Sequence, residues 1–339
     1  MDEIHQYLLN KKILITGCLG SIGSELLKQL ADMENVSIIG IDNRETELHS
    51  IKKLYKPKNN VSINLCDIRD RDKMIEITKK VDVIIHAAAL KHVVICELNP
   101  YEAVKTNIIG TQNLIESAII NDVEKFILIS TDKAVNPTNM MGGTKLAAER
   151  LVAAYSNKDD IYTNFGIVRF GNVLSSRGSV LEIWKSSLSL KQKIPLTDIN
   201  MTRFIMSIPN SVKLILKTIL FAENGEIFIL KMNSVEIINL AKAFLLANNE
   251  DENNFKIIGK SVGEKMNEEL LNKSELLNLM ENHEMYVKLS FFDDINEKEN
   301  VNRVKRLGFD FAKEIKYDSS DRRLILNKNK ILALIRDET

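Results

Sequence analysis

The chain has 339 residues, 45% of them hydrophobic and 27% charged, a composition that fits one large globular domain or two intimate ones. Lysine plus arginine and aspartate plus glutamate both number 46, so the net charge is zero, which argues against nucleic acid as the main partner because its binders carry a basic excess. No run of about 18 apolar residues reads as a membrane span, and the acidic, polar start of the chain does not read as a signal peptide, so a cytoplasmic protein with no membrane partner is expected.

Short apolar runs alternate with helical patterns through the first two-thirds. Residues 12–16 (KILIT) read as a first strand and residues 21–33 as the helix that follows it. Further strands are expected at 36–42, 61–67, 81–89 and 125–131, and later ones at 164–173 and 226–230. Helical patterns fill the gaps, notably 100–121 and 144–156. Nearly continuous apolar strands between helices imply a parallel sheet covered on both faces. The expected fold is therefore α/β, a doubly wound parallel sheet of Rossmann type. Beyond about residue 173 the pattern loosens, and 248–254 (NNEDENN) reads as a surface loop. The expected division is a Rossmann domain over 1–173, rejoined at 210–232, with a smaller C-terminal substrate-binding region from 174–209 and 233–339. Cys18, Cys66 and Cys96 form no CxxC pair and read as small buried hydrophobes. No His, Cys and Asp cluster has ligand spacing, so no metal is expected.

Gly17, Gly20 and Gly23 directly follow the first strand and open a helix at Ser21 and Ile22. Glycines there permit a tight turn and let the backbone approach a pyrophosphate, while the helix N-terminus supplies N–H groups and a positive dipole end. Asp42 ends the second strand, where a carboxylate accepts bonds from the ribose 2′-OH of NAD. Arg44, two residues on, would instead suit the 2′-phosphate of NADP. NAD is the expected cofactor because Asp42 would repel that phosphate. The G-x-x-G-x-x-G spacing resembles the extended short-chain dehydrogenase/reductase superfamily. That resemblance implies that Asp67 and Ile68 lie beside the adenine, that Ala87, Ala88 and Ala89 line the cofactor, and that Asn107 stands near it.

Residues 130–145 (STDKAVNPTNMMGGTK) follow the fifth strand, at the carboxyl edge where open α/β sheets bind ligands. Met141 and Lys145 occupy the positions of the Tyr-x-x-x-Lys pair of most short-chain dehydrogenases. Together with 87–93 (AAALKHV), 97–107 (ELNPYEAVKTN), 169–173 (RFGNV), 176–180 (SRGSV) and 201–204 (MTRF), the segment resembles the nucleotide-sugar 4,6-dehydratases of bacterial polysaccharide synthesis, in the group where Met replaces Tyr. The resemblance covers about the first 270 residues.

It implies hydride transfer from sugar C4 to NAD, loss of water across C5–C6, and return of the hydride to C6. Asp132 would be the acid for the C6 hydroxyl and Lys133 the base at C5, with Thr131 bonding the sugar at C4 and Lys145 holding the nicotinamide ribose. A thioether has no proton to exchange, so Met141 cannot take the C4 hydroxyl proton; Thr131 with Asp132, or a water, must do so. Asp132 and Lys133 side by side favour their ionised forms and are best treated as a coupled unit. Around the substrate, Asn172 would meet a phosphate oxygen, Arg203 the diphosphate with Arg177, Ser179 and Lys265 nearby, and Glu264 the uridine ribose. Lys91 and His92 would line the sugar or cofactor end. Where many relatives read Arg-Pro-Gly-Glu-Lys, this chain reads Ser261-Val-Gly-Glu-Lys265, with Lys260 adjacent, and Val94 replaces a common Pro.

The expected function is a retaining UDP-N-acetylglucosamine 4,6-dehydratase acting on a UDP-sugar. The alternatives are a C5-inverting dehydratase, an epimerase, or, in another class, a non-catalytic NAD-binding sensor or scaffold. The resemblance also implies a homodimer or higher homo-oligomer packed through 100–121 and 144–156.

Overall fold

The computed structural model describes residues 2–158, 160–290 and 297–337. Residues 291–296, 338 and 339, which fall in the stretch expected to form the substrate region, lie outside the described residues. The strands run Lys12–Thr16 (β1), Ser37–Asp42 (β2), Val61–Leu65 (β3), Val83–His86 (β4), Lys125–Thr131 (β5), Asn164–Phe170 (β6), Asn172–Val173 (β7), Ile194–Leu196 (β8), Thr202–Met206 (β9), Asn224–Leu230 (β10), Asn233–Glu236 (β11), Phe255–Ile257 (β12), Met280–Glu281 (β13), Met285–Lys288 (β14) and Asp310–Phe311 (β15).

β1 to β6 and β10 are parallel and pair in the order 3-2-1-4-5-6-10. The order reverses between β1 and β4, and in doubly wound sheets the crevice at such a switch point takes the ligand. Ile13, Leu14, Ile15, Val83, Ile84, Ile85 and Phe126 to Leu128 are all buried. Helices on both faces account for these unbroken apolar runs. The sheet then continues antiparallel through β14, β13 and β15. Part of the stretch expected to face substrate thus extends the Rossmann sheet instead.

A second core holds Leu181, Trp184, Leu196, Val235, Leu240, Phe244 and Ile331. Trp184 packs against Phe244 with ring centroids 5.4 Å apart and donates its indole N–H to Pro195 O at 2.8 Å. This smaller core, with β9, β7 and β11 in a separate sheet, forms the far wall of the crevice.

Several expected elements differ in detail, and the strand expected over 81–89 spans only Val83–His86. The strand expected over 164–173 ends at Phe170, and Asn172–Val173 pairs with β9 in the second sheet. The break falls at Gly171, where a Cβ would lie 2.6 Å from the Cβ of Phe204. The helix expected over 100–121 is three pieces, Pro100–Ala103, a π-helical Val104–Ile109 and Gly110–Ile120. The helix expected from residue 144 begins at Met140, because the Asn139 side chain caps it by accepting from Gly142 N at 2.8 Å. Residues 248–254 form a largely exposed connection, as expected.

Candidate active site

The carboxyl ends of β1, β2, β4, β5 and β6 open into a cleft of about 1210 Å³. Gly17, Gly20, Ser21, Ile22 and Gly23 floor one end. Gly17 has φ +64°, and a Cβ there would lie 2.7 Å from Ala88 Cα, so only glycine fits between the loop and the β4 turn. A Cβ at Gly23 would lie 2.1 Å from Gly17 O. Gly20 caps the helix Ser21–Ala31 with no side-chain bond, so its first N–H groups face the cleft unblocked. This cradle fits a dinucleotide pyrophosphate.

Asp42 is buried and accepts from Leu19 N at 3.1 Å, which ties β2 to the glycine loop. Arg44 forks onto the same carboxylate, with Nε 3.1 Å from Oδ1 and Nη2 3.3 Å from Oδ2. Arg69 forks likewise onto Asp67, whose acidity that hydrogen-bonded guanidinium strengthens. Asp42, Arg44, Asp67, Ile68 and Arg69 all line this end of the cleft, and Ala87, Ala88 and Ala89 line its floor.

A buried hydrogen-bond chain sets that floor. Ala88 N donates to Thr16 Oγ1, Thr16 lies 2.7 Å from His86 Nδ1, and His86 Nε2 lies 3.0 Å from Thr111 Oγ1. Thr111 in turn donates to Asn107 O. The Asn107 side chain accepts from Leu90 N at 2.8 Å and donates to Leu90 O at 3.0 Å. Asn107 is therefore a brace directly behind the 87–90 turn; it is 1% exposed and does not itself line the cleft.

At the end of β5, Thr131 donates to Asp132 Oδ1 at 2.8 Å, and Lys133 Nζ donates to the same oxygen at 3.0 Å. Lys133 also reaches Asn172 Oδ1 at 3.2 Å. Asp132 is fully buried, and its Oδ2 has no hydrogen-bond partner. Thr131, Lys133 and Asn172 line the cleft, with Asp132 directly behind them. Burial alone would drive the Lys133 ammonium toward neutrality, but the charges of Asp132 and Glu268 hold its pKa above the ordinary lysine value. Gly142 lets the helix start press on this turn, since a Cβ there would lie 2.2 Å from Lys133 O.

Met141 is buried against Cys96 and Ala103 and lines the cleft. Lys145 is buried, donates to Ile129 O at 2.6 Å, and is pulled down to about 8 by burial, against the opposing charge of Glu149.

The substrate-side residues divide. Lys91, His92, Arg177, Ser179, Arg203 and Glu264 line the cleft. Lys91 Nζ donates to Arg177 O and Arg177 N to Ser21 Oγ, which closes the 176–180 loop over the glycine turn. Ser179 Oγ is buried with no partner. Arg203 is engaged by Thr202 O, Met266 O, Lys265 O and Glu264 Oε1 at 2.8–3.1 Å. Lys265 turns away and donates to Val135 O at 2.7 Å, so it does not line the cleft. Thr138 Oγ1 and Asn139 Nδ2 both donate to Gly263 O, fastening the 261–265 loop to the turn after β5.

Glu268 escaped the sequence reading. It is 3% exposed, 3.7 Å from Lys133 Nζ and 4.0 Å from Arg203 Nε, and its Oε2 has no partner. It lies just past the last recognisable motif, and long-range bonds such as Thr202 N to Met266 O and Arg203 to Lys265 O bring its segment to the site.

This is the crevice of a Rossmann-type protein, with an Asp–Lys pair at the carboxyl edge of its sheet. The chain belongs to the polysaccharide biosynthesis protein family, whose model matches residues 13–290. A protein of Methanocaldococcus jannaschii described as an uncharacterized membrane protein is 44% identical over 99% of this chain and 98% of its own length. The UDP-N-acetylglucosamine 4,6-dehydratase (inverting) of Campylobacter jejuni is 37% identical over 97% of this chain and 98% of its own. Among solved structures, Pen from Bacillus thuringiensis superposes with a TM-score of 0.89 at 33% identity, covering 98% of this chain and 99% of that one. The dTDP-glucose 4,6-dehydratase DesIV of Streptomyces venezuelae, solved with NAD, shares the fold at a TM-score of 0.69 and 19% identity, over 75% of this chain and 86% of its own. Among the described residues no helix is long and apolar enough to cross a membrane.

Proposed function

We propose that this chain is an NAD-dependent UDP-N-acetylglucosamine 4,6-dehydratase that yields a UDP-4-keto-6-deoxy sugar. The observation that carries the reading is the Thr131–Asp132–Lys133 group, hydrogen-bonded within itself at the catalytic edge of a cleft that also holds the glycine cradle. The non-catalytic reading has no use for such a group.

The nicotinamide cofactor, when bound, takes the C4 hydride and returns it to C6. The chain's own residues do the rest. Thr131 passes the C4 hydroxyl proton to Asp132, which then protonates the leaving C6 hydroxyl, and Lys133 removes the C5 proton. Lys145 would hold the nicotinamide ribose. Asn172, Arg177, Ser179 and Arg203 would serve the diphosphate, Glu264 the uridine ribose, and Lys91 and His92 the sugar end. Asp42 supports NAD as the cofactor; Arg44 and Arg69 at the same end of the cleft favour the 2′-phosphate of NADP as the second reading. Retention at C5 is the first reading, and inversion is the second, favoured by the name of the Campylobacter relative. A homodimer through 100–121 is consistent with the exposure of Tyr101, Ile109 and Ile120.

The test is incubation of purified protein with UDP-N-acetylglucosamine and no added cofactor, read by mass spectrometry and proton NMR. Loss of one water with a new C6 methyl signal is expected, and the C5 coupling gives the stereochemistry. Mass analysis of the released cofactor decides between NAD and NADP. No product with either cofactor, from any of several nucleotide sugars, would leave the non-catalytic reading standing.

A further inference from the structure

We infer that Glu268 is a positioning residue for the elimination, the group that accepts the ammonium proton of Lys133 and so frees the amine to act on C5. The inference rests on the proposed dehydratase reading. The difficulty it meets is electrostatic. A base at C5 must be a neutral amine, yet Lys133 sits between two carboxylates, Asp132 Oδ1 at 3.0 Å and Glu268 Oε1 at 3.7 Å, which keep it charged.

Proton counting shows how the site escapes this. At the start Lys133 is an ammonium and both carboxylates are ionised. Oxidation at C4 releases the hydroxyl proton through Thr131 to Asp132, so an O–H bond forms on Asp132 and its charge disappears. Glu268 is then the one ionised carboxylate of the two facing Lys133. An N–H bond of Lys133 breaks and an O–H bond forms on Glu268. The free amine takes the C5 proton, the C5–C6 double bond forms as the C6–O bond breaks, and the Asp132 proton leaves in water. When C5 is reprotonated, by Lys133 or by a water on the other face, Glu268 returns its proton to whichever gave one up. Every proton is accounted for, and no outside acid or base is required.

The surroundings of Glu268 suit this task. It is 3% exposed, and Oε2 has no hydrogen-bond partner, so the carboxylate lacks the full set of donors that would fix it in the ionised form. Burial raises its pKa, with Asp132 adding to the rise and Lys133, Arg203 and Lys265 opposing it. Arg203 on β9 is itself neutralised by Glu264 at 3.1 Å, which weakens its hold. The backbone of Glu268 is pinned, its N donating to Ser319 Oγ at 2.8 Å and its O accepting from Ser319 N. Only the side chain needs to close the 3.7 Å gap, as catalytic contacts do when substrate is bound.

The test is Glu268→Gln, which keeps the shape and removes the proton-accepting oxygen, beside Glu268→Asp. In E268Q, kcat should fall about a hundredfold with KM held within about twofold, and uptake of solvent deuterium at C5 should slow by the same factor. The reduced-nicotinamide absorbance should still appear at the wild-type rate and then persist. The acid limb of the wild-type pH–rate profile should change shape in E268Q, because one of the two carboxylates that must be ionised is gone, and return, with part of the rate, in E268D. Unchanged kcat and pH profile in E268Q overturn the inference, as does an equal loss of C4 oxidation and elimination in an E268Q protein that melts like the wild type. Should E268Q fail to fold, E268D alone decides, since a shifted acid limb supports the inference and an unshifted one overturns it. A wild-type protein that makes no dehydrated product overturns the underlying reading instead.

Discussion

The hydroxyl of Thr131 donates to Asp132 Oδ1 at 2.8 Å, and Met141 lies buried where most short-chain dehydrogenases place a tyrosine. A thioether cannot take a proton, so under the proposed dehydratase function the Thr131–Asp132 contact, or a water, would take the one the C4 hydroxyl loses. Thr131→Val removes that route while keeping the side-chain shape. The rate of reduced-nicotinamide formation in a single turnover should fall about a hundredfold, and Thr131→Ser should keep most of it. Unimpaired oxidation in Thr131→Val would mean that a water or another group takes the proton.

Gly23 lies at the other end of the same cleft. A methyl there would sit 2.1 Å from Gly17 O and 2.8 Å from Cys18 Cα, both backbone atoms that cannot swing aside. Gly23→Ala must push the glycine turn off the helix start, at a stability loss of about 1–3 kcal/mol. The purified variant should carry no cofactor and melt below the wild type. Stoichiometric cofactor in that variant, measured after acid release, would show that the cradle tolerates the shift.

Local rules made much of this legible in the sequence. The strand KILIT, the glycine turn and the Thr131–Lys133 group stand where the pattern puts them, because turn chemistry and sheet burial act over a few residues. What escaped depends on contacts far apart in the chain. Glu268 reaches Lys133 across 135 positions through long-range bonds of its segment, to β9 and to Arg169 among others. His86 looks like one more residue of a buried strand until Thr16 and Thr111 close on its two nitrogens. The start of the helix at Met140 was masked because Asn139, its cap, sits in a run of turn-forming residues.

The buried ion triad is a third long-range feature. Arg169 on β6 is 1% exposed and donates to Glu149 Oε2 at 2.7 Å and to Glu275 Oε2 at 2.9 Å. It also meets Leu270 O at 3.0 Å, and Ser130 Oγ bonds Glu149 at 2.5 Å. The triad thus anchors the segment bearing Glu268 to the helix bearing Lys145. Arg169→Met leaves two buried carboxylates uncompensated and should cost about 3–5 kcal/mol, read as a lower urea midpoint. Adding Glu149→Gln and Glu275→Gln should recover at least part of that loss, because the orphaned charges go with them. Equal stability of the single and triple variants would show that packing, not charge, sets the cost.

His86 ties stability to pH. Thr111 donates to Asn107 O, so it accepts from His86 Nε2, and Thr16, which accepts from Ala88 N, donates to Nδ1. That network assigns the neutral tautomer with its proton on Nε2 and leaves no acceptor for a second proton. Burial, reinforced by the charge of Lys145, pulls His86 down to about 3, against about 6.5 in the unfolded chain. Between those values the unfolded state binds a proton that the folded state does not. The stability from this group is therefore fully present above about pH 6.5 and is lost as pH falls toward 3, by about 1.4 kcal/mol per unit. Urea midpoints taken from about pH 7 to about 4.5 should fall less steeply in His86→Gln than in the wild type, by the equivalent of one proton. The same variant should be less stable at neutral pH, because Thr16 and Thr111 lose the ring that joins them. Parallel slopes for the two proteins would place the acid lability in other groups and would argue that His86 is protonated, or already exposed, before the fold is lost.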